Sequence, residues 1–155
     1  MVKRIILIVA IALIAFSGVA LALDTNTVTV TANVIGTCKF ASATSTLAFG
    51  ALDPSSALDA SGSATVDFWC TRNASYSIVD DDGLHETAVD ANRMQNVADA
   101  TEYIPYSFSY NPAAGTGSGP STPITLTMNG LINNADYVNA AVGNYSDTIV
   151  LTITP

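Results

Sequence analysis

Residues 25–38 read TNTVTVTANVIGTC, and their period decides the fold class. Val28, Val30, Ala32 and Val34 occupy every second position, with Thr27, Thr29, Thr31 and Asn33 between them. Successive side chains of an extended chain point to opposite faces, so this is a strand with one apolar and one hydroxyl-rich face. The apolar face has to be covered by a sheet.

The residues upstream say where the chain is sent. Lys3 and Arg4 precede an unbroken apolar run, 5–16, then Ser17 and Gly18, then Ala20-Leu21-Ala22. This order matches the charged, apolar and cleavage regions of a secretory signal, with cleavage after Ala22. A retained anchor is the rival reading of 5–22, but the short unbroken core and the A-x-A site favour removal. Of the 155 residues, 133 then remain, and no other segment is apolar enough to span a bilayer. The mature chain keeps three cations, Lys39, Arg72 and Arg93, against thirteen carboxylates, a net charge of −10. Such a surface disfavours nucleic acid and anionic membranes as partners. A chain of this length buries about two-thirds of its unfolded surface in one domain. Its wealth of Thr, Ser, Ala, Val and Gly points to an all-β fold.

Cys38 and Cys70 are the only cysteines, and in an oxidising compartment they are expected to pair. Cys38 shares its phase with Val34 and Phe40, and Cys70 with Val66 and Phe68, so both sulfurs point inward from neighbouring strands. A metal pair or a catalytic thiol would need further cysteine ligands, a CxxC spacing or a nearby histidine.

Further strand signals follow, separated by Gly, Pro, Asn, Asp and Ser clusters. They are TLAFG at 46–50, SATVDFWC at 63–70, a run over 74–79, EYIPYSFSYN at 102–111, ITLTM at 124–128 and NYSDTIVLTITP at 144–155. Residues 84–101 are poorly patterned. Pro105 marks an edge or a strand start, and 111–123 reads as an exposed loop. Six or seven short strands at this spacing describe one immunoglobulin-like β-sandwich, with no repeat and no internal domain boundary.

Catalytic signals are sparse. His85 is the only histidine; no serine lies in a GxSxG elbow, so His85 reads as a solvent-facing turn residue. Asp80-Asp81-Asp82-Gly83 invites a calcium reading, but an EF-hand needs an oxygen ligand where Ile78 stands and a Glu where Val89 stands. A solvated hairpin turn is expected instead, with weak divalent-ion binding as the minor alternative; no dedicated metal site and no cofactor are expected. Asn73-Ala74-Ser75 and Asn144-Tyr145-Ser146 match the glycosylation sequon. Tyr103, Tyr106, Phe108 and Tyr110 offer sugar-stacking surfaces, although their alternation assigns half of them to the core.

The order of GTCKF, LAFG, VDFWCT, YSI, RMQN, YIPYSFSY, PITLTMNGLI and the closing GNYSDTIVLTITP resembles the spore coat protein U domain, the module of pilins of the archaic (Csu-type) chaperone–usher pathway. The resemblance covers about 25–155, and its most specific piece is 143–148 leading into the alternating strand of Ile149, Leu151 and Ile153. The chain departs from it at Pro155, where relatives often carry an aromatic residue.

The resemblance implies a sandwich lacking its last strand, with an open groove edged by Ile149, Leu151 and Ile153. The N-terminal donor strand of a neighbouring subunit fills that groove, a form of β-strand addition. Residues 1–22 would then be the signal peptide, 23–33 the donor strand with Val28, Val30 and Ala32 as its pocket residues, and 34–155 the pilin domain, whose own first strand begins at Val34. Implied partners are like subunits head to tail, a periplasmic chaperone and an outer-membrane usher. The implied role is a structural shaft subunit of a surface fibre serving adhesion and biofilm formation, with no room for the receptor-binding domain of a tip adhesin. The competing classes are a monomeric secreted carbohydrate-binding module and a hydrolase, for which no nucleophile and base are found.

Overall fold

The computed structural model describes residues 23–155; the expected signal peptide, 1–22, lies outside them. Among the described residues, 23–33 and the segment Val34–Pro155 belong to two different units. In the first, residues 23–33 are exposed and form no strand.

The second unit is an all-β sandwich. Its longest strand, β2 (Ala60–Cys70), turns Ala60, Gly62, Ala64, Val66, Phe68 and Cys70 inward and the intervening Ser61, Ser63, Thr65 and Asp67 outward. It pairs antiparallel with β8 (Ile124–Ile132), whose Leu126, Met128 and Ile132 face the same way. Strand β1 (Cys38–Phe40) flanks β2, and β6 (Ser107–Asn111) flanks β8, giving the order β1-β2-β8-β6. Opposite lie two three-stranded sheets. In one, β3 (Ser75–Val79) sits between β10 (Thr152–Thr154) and β7 (Ala114–Thr116). In the other, β4 (Arg93–Asn96) sits between β5 (Tyr103–Pro105) and β9 (Tyr145–Ser146).

Two clusters join the layers. Phe68, Cys70, Leu126 and Met128 pack against Tyr76 and Ile78 of β3, with the Phe68 and Tyr76 rings edge to face at 5.0 Å. Ile132 packs with Ile104 of β5 and with Tyr137 of the short helix α1 (Asn134–Tyr137), whose hydroxyl donates to the Leu58 carbonyl. The expected disulfide is present, with Cys38 directly opposite Cys70 and S–S 2.02 Å. Main-chain bonds from Thr71 to Thr37 and from Ala41 to Asp67 flank this pair. Cys38 and Cys70 therefore occupy a non-hydrogen-bonded site, where cross-strand side chains come closest.

Several expectations need correction. The domain's first strand begins at Cys38, not Val34, because Val34 and Ile35 have no ladder partner and remain exposed. Residues 46–50 keep their alternation, Leu47 and Phe49 inward, but join no ladder. The run 102–111 is two strands that leave for different sheets at Pro105, β5 to β4 and β6 to β8, because proline has no N–H to continue a ladder. The poorly patterned 84–101 contains β4, and the expected loop 111–123 contains β7, which pairs Ala114 with Ser77 and Thr116 with Ser75. Ile149 and Leu151 lie between strands, and only Ile153 is in one, opposite Ile78.

Candidate functional site

Two stretches of the domain face each other with no ladder between them. Beyond β1 the chain leaves β2 after Ala41 and runs through 42–49 with Leu47 and Phe49 turned inward. Across from it, 147–151 connects β9 to β10 with Asp147, Ile149 and Leu151 inward and Thr148 and Val150 outward. Among the described residues, no main-chain hydrogen bond pairs 43–49 with any neighbour. Between the two stretches lies a groove of about 670 Å³. Its floor is the inner face of the large sheet, Ala64, Val66, Phe108 and Met128, and its walls include Phe40, Leu47, Ile149 and Leu151. An apolar floor between two extended edges that join no ladder has the shape and chemistry to take one more strand.

The 147–151 edge is held from behind by an acidic loop. Val150 N–H donates to Asp81 Oδ1 at 2.8 Å, and Leu84 N–H reaches both the Thr148 carbonyl and Asp147 Oδ1. Tyr106 O–H donates to Asp147 Oδ2 at 2.7 Å. Burial, reinforced by the bond to Asp147 and the nearby Asp81 and Asp80 charges, pushes the Tyr106 phenol far above its ordinary value. Tyr110 is raised in the same direction, first by burial and then by Asp80, whose Oδ1 accepts from its hydroxyl at 3.1 Å.

This corrects two readings of the loop. The 80–83 run is not a solvated hairpin turn. Asp80 accepts from Tyr110, Asp81 from Gly83 and Val150, and Asp82 from Asp90, because carboxylates supply acceptors where the neighbouring chain has no strand partner. His85 is half-buried rather than in free solvent, its ring edge-on to Tyr103 at 6.1 Å. Arg93 lies 3.9 Å above that tyrosine and donates from Nε to the His85 carbonyl.

Of the expected groove-edge residues, Ile149 and Leu151 line the groove, whereas Ile153 sits in β10 and packs into the first core cluster. Val28, Val30 and Ala32 are exposed in the N-terminal unit. The Tyr106 hydroxyl donates to Asp147 and that of Tyr110 to Asp80 and Ile78, while the Tyr103 hydroxyl accepts from Gln95 and its ring face is covered by Arg93. Sequence reasoning missed the floor residues and Asp147; the signal for Asp147 was its phase with Ile149 and Leu151.

The family model of the Spore Coat Protein U domain matches residues 24–152. The chain belongs to this family. A search of curated proteins finds no match. Among solved structures, the chain is similar to one in the CsuC–CsuE chaperone–tip adhesion subunit pre-assembly complex from archaic chaperone–usher Csu pili of Acinetobacter baumannii, at 14% identity and a TM-score of 0.46. The alignment covers 77% of this chain and 40% of that one. A chaperone–tip adhesin complex of CFA/I fimbriae biogenesis aligns at 17% identity and a TM-score of 0.43, over 66% of this chain and 37% of that one. The chain thus spans about two-fifths of the length of either.

Proposed function

We propose that this protein is a structural shaft subunit of a surface fibre assembled by donor-strand complementation, each copy's segment 23–33 filling the groove of the next. The observation that carries this is the pair of unladdered edges, 42–49 and 147–151, above the apolar floor of Ala64, Val66, Phe108 and Met128. Membership of the Spore Coat Protein U family supports it. The period-2 row Val28, Val30 and Ala32 supplies side chains for the floor, and the donor main chain supplies partners for both edges.

The contact is head to tail, between different surfaces of like subunits, so it propagates into a fibre rather than closing a dimer. A subunit with an empty groove exposes apolar floor and bare edges and is prone to aggregate. A periplasmic chaperone that lends a strand, followed by an outer-membrane usher, meets that need, and the completed fibre at the cell surface serves adhesion and biofilm formation. Chain beginning at Leu23 is expected to run as polymers on a sizing column and to form thin fibres in electron micrographs. A stable, soluble monomer under the same conditions would favour a self-contained binding module instead.

A further inference from the structure

The groove continues past Tyr145 into a second cavity of about 690 Å³, which shares Leu47, Phe49, Met94 and Tyr145 with the first. None of the side chains lining this second cavity, Leu52 and Ala140 among them, is charged. The opposite end of the groove is shut. There the Gly36 backbone lies against Pro155, whose Cβ would sit 3.4 Å from a Cβ at Gly36, and Cys38 and Ile153 both pack against the first core cluster.

This asymmetry orients an incoming strand. On the donor-strand reading, on which this inference rests, the C-terminal end of the donor carries a whole domain. That domain cannot follow through a closed end, so the donor's C-terminal side must leave through the second cavity. The row Val28, Val30 and Ala32 continues in phase to Val34, two residues or about 7 Å further along an extended chain. Val34 is 82% exposed in the free chain and belongs to no strand, since β1 starts at Cys38, whereas Ile35 is on the opposite phase and its carbonyl accepts from Thr71 Oγ1 of its own domain.

We propose that the donor is longer than 23–33, and that Val34 of the incoming copy seats in the second cavity of the receiving one. Four residue steps separate Val34 from Cys38, a reach of about 14 Å at most. Neighbouring domains therefore abut at this cavity, with no flexible linker between them.

The test is cross-linking within the assembled polymer of the full chain. A chain carrying Val34→Cys and Ala140→Cys is expected to give an intermolecular disulfide ladder on oxidation, since such bonds form only when the Cα atoms come within about 7 Å. The ladder should be lost in a Val28→Cys, Ala140→Cys chain. A ladder from the Val28 pair, or from neither pair in a polymer that has formed, overturns this proposal and leaves donor-strand assembly standing. Failure of the unsubstituted chain to polymerise removes both. Should the cysteine chains not assemble, Val34→Ala polymers are expected to dissociate at lower denaturant than wild type while Val89→Ala polymers do not, and equal resistance of the Val34→Ala polymer overturns the proposal.

Discussion

Gly62 and Gly130 stand opposite each other on the inner face of the β2–β8 ladder, and the segment bearing Leu47 and Phe49 lies on the flat they leave. A Cβ on Gly62 would come within 2.7 Å of the Ala48 carbonyl oxygen, a main-chain atom, whereas one on Gly130 would meet the tip of the Phe49 ring at 2.7 Å. A ring can turn aside; a carbonyl moves only with its chain. Gly62→Ala is therefore expected to cost more than Gly130→Ala, on the order of 1–3 kcal/mol as overpacking, and to displace one groove edge. Chemical denaturation of both variants checks the order, and equal losses would show that the 47–49 stretch is free to lift.

The Asp81 carboxylate bonds to Gly83 and Val150, tying the second groove edge to the 80–84 loop. Asp81→Ala removes that acceptor without touching the floor. The expected outcome is a loss of about 1 kcal/mol and faster hydrogen exchange at the Val150 amide, with the Ile78 amide in β3 unchanged. Uniform acceleration across the domain would mean the loop supports the whole fold rather than one edge.

These two contacts show what the sequence could and could not announce. Strands β2, β3 and β8 were legible because side-chain phase and ladder coincide: Val66 and Phe68, Tyr76 and Ile78, Leu126 and Met128 alternate and are buried. Pairing of Cys38 with Cys70 was legible for the same reason. Strand β4, reading RMQN, has no apolar alternation, and β7 lies in a glycine-rich loop; both are strands because of the main chain they lie beside, which side-chain patterns do not record. The converse holds at 46–50 and 147–151, which alternate as strands should but join no ladder within the described chain. The acidic run looked like a solvated turn because nothing in DDDG says that Val150 and Tyr110 will be its neighbours.

Alkaline titration probes the groove wall. Burial and the bond to Asp147 raise the Tyr106 phenol above its ordinary value of 10.0. Below pH 10 folded and unfolded chains both hold the proton, so nothing is lost; above it the unfolded chain ionises first and stability falls as pH rises. Tyr106→Phe is expected to flatten that fall, with Tyr110, raised in the same sense, accounting for what remains. Denaturation midpoints between about pH 9 and 11, one unit to either side of the ordinary tyrosine value, decide it; parallel curves for both proteins would sink the assignment.

The Cys38–Cys70 bond closes a loop with a sequence separation of 32. Its loss is expected to cost about 3–4 kcal/mol in the chain-entropy account, and Cys70, fully buried, also packs against the first core cluster. Alkylation of unreduced protein should label neither sulfur, and reduction should lower the melting temperature. Stoichiometric labelling before reduction would contradict the bond.

The opening stretch offers the sharpest comparison, because Val30 and Thr29 are neighbours on opposite faces of one extended segment. In the proposed fibre Val30 enters the next copy's apolar groove, where an unpaired carboxylate would be stripped of water at a cost of several kcal/mol. Val30→Asp should therefore block polymerisation, while Thr29→Asp, on the outward phase, should assemble. Both substitutions lie outside the unit Val34–Pro155, so neither should alter the circular dichroism or disulfide status of the sandwich. The pair controls for added charge and for position along the chain. If both variants polymerise alike, the segment's apolar row is not what fills the groove; if Val30→Asp instead unfolds the sandwich, the segment is a strand of its own domain and the fibre reading falls.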